Sequence, residues 1–135
     1  MAVLTRPPDG SSAALLATLA RPAPDEVRCY QPLPPLPDVV ERPITVDQTN
    51  HSVVIGERVV VKWYTPPAPP PQRAPDLLAH LLAAGFARTA TPYAAVYRGG
   101  HLVALVTAYL PGAVDGWDWC VEAALAGRRS AADLG

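Results

Sequence analysis

Ser52-Val53-Val54-Ile55-Gly56-Glu57-Arg58-Val59-Val60-Val61-Lys62-Trp63-Tyr64 is a pair of β-compatible runs around Gly56-Glu57, a two-residue turn suited to a tight hairpin. Valine and isoleucine fill both arms almost without interruption, so the hairpin is expected to be buried on both faces. Just upstream, Ile44-Thr45-Val46 reads as the start of a further strand. Downstream, the proline-rich stretch 66–71 is a loop, after which Pro75-Asp76 opens a helix carrying Leu77, Leu78, Leu81 and Leu82, with Asp76 as its cap. Gly85 followed by Phe86 stops that helix with a hydrophobic clasp. Strands resume at 93–97 and 102–109 around Arg98-Gly99-Gly100-His101, and Pro111-Gly112 ends the second of them. The order is three strands, one helix, two strands, which is an α+β fold with a five-stranded antiparallel sheet and one packed helix.

Working outward toward the N-terminus, prolines at 22, 24, 32, 34, 35, 37 and 43 forbid helix and remove ladder donors. The segment is therefore an extended strap or at most a short edge strand. Pro32 to Pro35 and Pro34 to Pro37 satisfy P-x-x-P, but an internal strap packed by Tyr30, Leu33 and Leu36 is preferred to a peptide ligand because such matches are cheap. Ahead of it, Asp9-Gly10-Ser11 precedes Ala13, Ala14, Leu15, Leu16 and Leu19, a short first helix ending near Arg21-Pro22. On the other side, Asp115 caps a helix in which Trp117, Val121, Ala124 and Leu125 share a face and which Gly127 ends. Ser130-Ala131-Ala132-Asp133-Leu134 reads as the first turn of another helix, so the chain is expected to continue in the complete gene product.

The 135 residues make about one small domain, with 50% hydrophobic and 17% charged residues. Eleven Lys and Arg against twelve Asp and Glu leave a net charge of -1, without the basic footprint that nucleic acid or an anionic membrane surface requires. Seventeen prolines, well above the usual roughly 5%, must lie in connections, since the hydrophobic content is too high for disorder. No secretory signal is legible, and the apolar run 102–114 is too short for a membrane span and contains Pro111. Cys29 and Cys120 make neither a disulfide framework nor a metal-ligand spacing. A cytoplasmic protein is expected.

A small antiparallel sheet with a helix between its third and fourth strands, and a lysine late in the third, is the arrangement of the nucleotide-covering lobe of kinases. Lys62 is that lysine: phosphoryl transfer needs a fixed positive charge against the nucleotide phosphates, and a rigid hairpin can supply one. A strand-end lysine that merely solvates a sheet edge is commoner, and the motif acquires weight only from its surroundings.

Those surroundings are Val46-Asp47-Gln48-Thr49-Asn50-His51-Ser52, Val60-Val61-Lys62-Trp63, and Leu105-Val106-Thr107-Ala108-Tyr109-Leu110-Pro111-Gly112 followed by Asp115-Gly116-Trp117-Asp118-Trp119. Together they resemble the N-terminal region of actinobacterial glucosamine kinases and the related maltokinases, which are aminoglycoside-phosphotransferase-like sugar kinases. The forms Val-Val-Lys-Trp and Trp-Asp-Trp-Cys are closer to the glucosamine kinases. The resemblance implies a protein-kinase-like N-lobe behind an N-terminal cap, with phosphoryl transfer from ATP to the sugar 6-hydroxyl in the complete protein. It implies that Asn50, His51 and Ser52 lie in the turn over the ATP phosphates, that Lys62 is the phosphate lysine, and that the Ala108 carbonyl and Leu110 N–H meet the adenine edge. Trp117 and Trp119 would pack a lobe junction.

Two departures stand out. At the helix position where this family often presents a glutamate to the lysine stands Leu78, which forms no ion pair. There is also no His-x-Asp catalytic loop after His51, His80 or His101, and no downstream metal-binding aspartate motif, so the Mg2+ ligands and the catalytic carboxylate are expected outside these residues. The expected organisation is a cap over 1–43, the lobe over 44–112 and the start of a helical second lobe over 113–135. ATP and, in the complete protein, a sugar acceptor are the expected partners. The alternatives are a maltokinase, or a stand-alone module that binds nucleotide or protein without catalysis.

Overall fold

The computed structural model describes residues 6–19, 26–45 and 50–128. Over them the chain runs α1 (Ser11–Leu19), β1 (Val27–Cys29), β2 (Glu41–Pro43), β3 (His51–Ile55), β4 (Val59–Ala68), α2 (Arg73–Ala83), β5 (Pro92–Arg98), β6 (His101–Ala108) and α3 (Gly116–Leu125). All the strands form one antiparallel sheet in the order β1-β5-β6-β4-β3-β2.

The central hairpin forms where expected. Gly56 and Glu57 both take positive φ (56° and 52°) and the Arg58 N–H closes the turn on the Ile55 carbonyl at 3.1 Å. Ile55 stands opposite Val59, so the connection spans three residues, one more than the turn predicted. Val53, Val54, Ile55, Val59 and Val61 are buried, as the unbroken valines require. A Cβ on Gly56 would lie 2.8 Å from the Asp38 backbone oxygen, in a conformation that already disfavours any side chain. Gly56→Ala is therefore expected to cost about 2 kcal/mol, a fall in Tm of roughly 7 °C, readable by thermal denaturation.

The sheet has six strands, not five. The additional strand is β1, in the stretch without proline between Pro24 and Pro32, paired with β5 from Val27↔Val96 to Cys29↔Ala94. An edge strand needs only one side of its ladder, so the prolines that border it are tolerated there. The strand expected at 44–46 is displaced to Glu41–Pro43, with the Ile44 N–H still donating to the Ser52 carbonyl at 2.9 Å; Val46 lies outside the described residues. The 1–43 segment thus supplies both edges of the sheet, and a boundary at 43/44 falls inside the β2–β3 pairing. β4 runs on through Pro66 and Pro67, expected as loop, after a register break beyond Trp63.

Two apolar layers sandwich the sheet. On one face Val53, Ile55, Val59, Val61, Ala104 and Val106 pack beneath Leu16 of α1, with Leu33 and Leu36 of the strap against them, which makes the strap internal packing. Two polar contacts tie α1 down: the Trp63 indole donates to the buried Ser12 hydroxyl at 2.9 Å, and the Glu41 carboxylate accepts from the Gly10 and Ala13 N–H groups at 2.8 Å each. A carboxylate borrowed from β2 thus caps the helix N-terminus. On the other face α2 covers Ala95, Leu102 and Leu105 through Leu78, with Tyr30, Tyr64 and Tyr97 alongside.

α2 begins at Arg73 and places Pro75 in its first turn, where a missing N–H costs nothing. Asp76 is not its cap; its carboxylate instead meets Arg28 of β1 at 3.2 Å. At the far end the Phe86 N–H reaches the Leu81 carbonyl at 2.9 Å across Gly85 at φ +74°, the stop read from Gly85-Phe86. Asp115 caps α3 by accepting from the Trp117 N–H at 2.8 Å, but the apolar face of α3 is bare, with Trp117 76% and Leu125 85% exposed. The further helical turn expected over 130–134, like Gln48 and Thr49, lies outside the described residues.

Candidate functional site

Cross-strand pairing assembles a row of side chains on the α2 face of the sheet. Ser52 stands opposite Lys62, Lys62 opposite Leu105, Leu105 opposite Ala95 and Ala95 opposite Arg28, so five strands contribute to one line with the lysine inside it. Two residues along, Arg42, Val54, Val60 and Thr107 form the parallel row on the same face. The first row carries the Ser52 hydroxyl and the Lys62 charge, and the second sets Val54 and Val60 between Arg42 and Thr107.

Lys62 is half-buried and, among the described residues, no carboxylate lies within 4.0 Å of its ammonium. Its Nζ instead sits 5.4 Å from the centroid of the Tyr64 ring. Leu78, at the position where the resemblance led to a helix glutamate, packs in the apolar cluster beside Tyr64 and Leu105. Ser52 is buried next to the lysine, and Asn50 is half-buried in the bend before β3. His51 does not join them. Strand alternation turns it to the α1 face, where with Arg6, Asp9, Ser12 and Glu41 it lines a cleft of 230 Å³. Burial, then the positive charge of Arg6, lowers its pKa from the usual 6.5.

At the other end of the rows β6 gives way to the segment expected as a hinge. The Ala108 N–H bonds the Thr91 carbonyl at 2.8 Å and the Tyr109 N–H the Arg58 carbonyl at 2.9 Å, which anchors the strand end to both neighbours. Leu110 is 52% exposed, and its N–H has no acceptor among the described residues. Tyr109 is held by a clasp that local sequence did not announce: Arg42 makes two bonds to Glu57 at 2.7 and 2.8 Å, donates to the Tyr109 hydroxyl at 3.2 Å and lies 5.5 Å from its ring. These bonds lower the Glu57 carboxyl pKa and raise that of the guanidinium.

On the same face the Arg28 guanidinium lies 4.8 Å from the Tyr97 ring while it pairs with Asp76. The Tyr30 hydroxyl is buried near by with no hydrogen-bond partner among the described residues. Burial, then the Tyr97 phenol, pushes its pKa up to about 12. The neutral phenol is favoured in the fold, so its contribution is complete below the unfolded value of about 10 and is lost as pH rises through about 12. Tyr30 is therefore expected to ionise well above pH 10 when absorbance at 295 nm is followed, and Tyr30→Phe to remove that late step and blunt the loss of Tm above pH 10. A cavity of 520 Å³ between Leu19, Cys29, Tyr30, Leu33 and Tyr93 brings no charged side chain to its wall.

No protein-family model matches the chain. It is 40% identical over 132 residues to a glucosamine kinase of Streptacidiphilus jiangxiensis, covering 87% of this chain and 29% of that relative. It is 46% identical over 86 residues to a glucosamine kinase of Mycolicibacterium smegmatis, covering 60% of this chain and 22% of that one. Among solved structures, a glucosamine kinase in complex with glucosamine, ADP and inorganic phosphate superposes with a TM-score of 0.63 at 36% identity, over 87% of this chain and 29% of that chain. A further crystal form of a glucosamine kinase gives the same TM-score and identity. The chain spans less than a third of the length of these relatives, and over 87% of its own length it is similar in sequence and in fold to glucosamine kinases.

Proposed function

We propose that the chain is the nucleotide-covering part of an ATP-dependent glucosamine kinase, a kinase-like N-lobe of aminoglycoside-phosphotransferase type. The observation that carries this reading is Lys62 in the middle of the sheet, with Ser52 beside it and a charge that no described carboxylate offsets. ATP, when bound, supplies the phosphoryl group. Lys62 and Ser52 hold its phosphate oxygens, Asn50 and the His51 backbone close the turn above them, and Val60 roofs the base. The Ala108 carbonyl and the unclaimed Leu110 N–H meet the adenine edge.

The same residues do not fit the metal. Among the described residues no three His, Cys, Asp or Glu side chains group as a cation site, so this wall offers Mg2+ no ligand set. Its ligands, the catalytic carboxylate and the glucosamine pocket belong in this proposal to other parts of the enzyme, docked against the bare face of α3. No helix among the described residues is long and apolar enough to cross a membrane, and Cys29 and Cys120 are unpaired thiols, in keeping with a reducing cytoplasm.

Methyl NMR of the chain titrated with Mg-ATP tests the reading, because the two faces carry different reporters. Shifts are expected at Val60, Leu105 and Leu110, with Val53, Val61 and Val106 nearly still. Shifts confined to the α1 face, or to Leu19 and Leu33 at the apolar cavity, would overturn it.

A further inference from the structure

We infer that Tyr64 is the positioning residue for Lys62, its ring holding the ammonium by a cation–π contact in the place that a helix carboxylate takes in other kinases. The inference rests on the reading of Lys62 as the phosphate lysine and adds to it the group that aims the side chain. Tyr64 follows Lys62 by two residues on β4, so the period of the strand puts both on the α2 face. The ammonium lies 5.4 Å from the ring centroid, within the reach of a cation–π interaction.

The ring is itself fixed. Tyr64 packs against the cluster of Ala95, Leu102 and Leu105 beside Leu78 and Tyr97. Burial raises its phenol pKa above the usual 10. α2 offers no competing anchor, since Leu78 is committed to the apolar cluster and Asp76 to Arg28 at 3.2 Å. A free lysine has a flexible four-carbon stem to order before it can act. An aromatic anchor orders that stem and leaves the full positive charge facing the phosphates, whereas a glutamate would offset part of it.

The test uses the full-length protein with its glucosamine-dependent ADP release, and the chain itself for NMR. Tyr64→Leu is expected to lower kcat/KM for ATP three- to tenfold, with KM for glucosamine unchanged. Tyr64→Phe keeps the ring and is expected to stay within about twofold of the parent. In a Lys62→Ala background Tyr64→Leu should add nothing, because a residue that acts through the lysine has no effect once the lysine is gone. Independently of activity, the Lys62 Hε protons should be shifted upfield by the ring in the parent and in Tyr64→Phe, and should return to ordinary lysine values in Tyr64→Leu.

If Lys62→Ala leaves ATP kinetics intact, the phosphate-lysine reading fails, while the Hε shifts still decide the contact. If Lys62→Ala is impaired but Tyr64→Leu matches the parent, multiplies the Lys62→Ala defect, or is no worse than Tyr64→Phe, the positioning role is overturned. Should Tyr64→Leu fail to fold, Tyr64→Phe and the Hε shifts of the parent carry the test, and ordinary Hε shifts in the parent would overturn the inference.

Discussion

Lys62→Ala in the full-length protein is expected to depress kcat/KM for ATP by more than about tenfold, equivalent to at least about 1.4 kcal/mol of transition-state stabilisation. The loss should be that large because Lys62 is the only cationic side chain in the middle of the sheet on the face opposite α1, among the described residues; Arg28, in the same row, is committed to Asp76, and Arg42, in the next, to Glu57. A triphosphate lying along these rows would meet no second free cation in either row. The fold should survive the change. Lys62 makes no ion pair among the described residues, and its neighbours Val61 and Trp63 point to the other face, where the core and the bond to Ser12 are untouched. Steady-state kinetics at varied ATP, with circular dichroism to confirm folding, measure both expectations. Unchanged kinetics in a folded variant would make Lys62 a solvated strand residue.

The 135-residue chain by itself is expected to release no ADP in response to glucosamine or maltose, and to bind Mg-ATP weakly. In the proposed reading Lys62 and the segment after β6 form one wall of a nucleotide site. In-line phosphoryl transfer also needs a carboxylate to orient the acceptor hydroxyl and ligands for the metal that bridges the phosphates. None of His51, His80 and His101 is followed two residues on by aspartate. Of the carboxylates near the face, Asp76 and Glu57 are bound in ion pairs with Arg28 and Arg42. One wall also encloses little of the adenine, far below the burial of a working small-molecule site. A coupled ADP-release assay beside calorimetric titration with Mg-ATP measures this. Sustained sugar-dependent turnover by the pure chain would show that the catalytic groups reside within it.

Features that depend on neighbours along the chain were legible in the sequence. Gly56-Glu57 fixes a turn because both residues must accept positive φ within four residues. Gly85-Phe86 and Asp115 end and begin helices because their partners, Leu81 and Trp117, lie within five residues. The two-residue period of a strand also governs the central chemistry. It joins Lys62 to Tyr64 and separates His51 from Ser52, so the alternation of residues 51 and 52 is itself a sequence signal that the imidazole faces away from the phosphate turn. Long-range pairings are the features that required the folded sheet. β1 pairs with a strand some 65 residues on, Glu41 caps a helix 28 residues behind it, and Arg42 joins Glu57 to Tyr109 across 15 and 67 residues. Asp76 is diverted from its own helix to Arg28, 48 residues away. Isolated prolines, arginines and carboxylates carry no record of such partners, since their choice is made by whichever complementary group the folded sheet brings within about 3 Å, and local preference is too weak to decide among them.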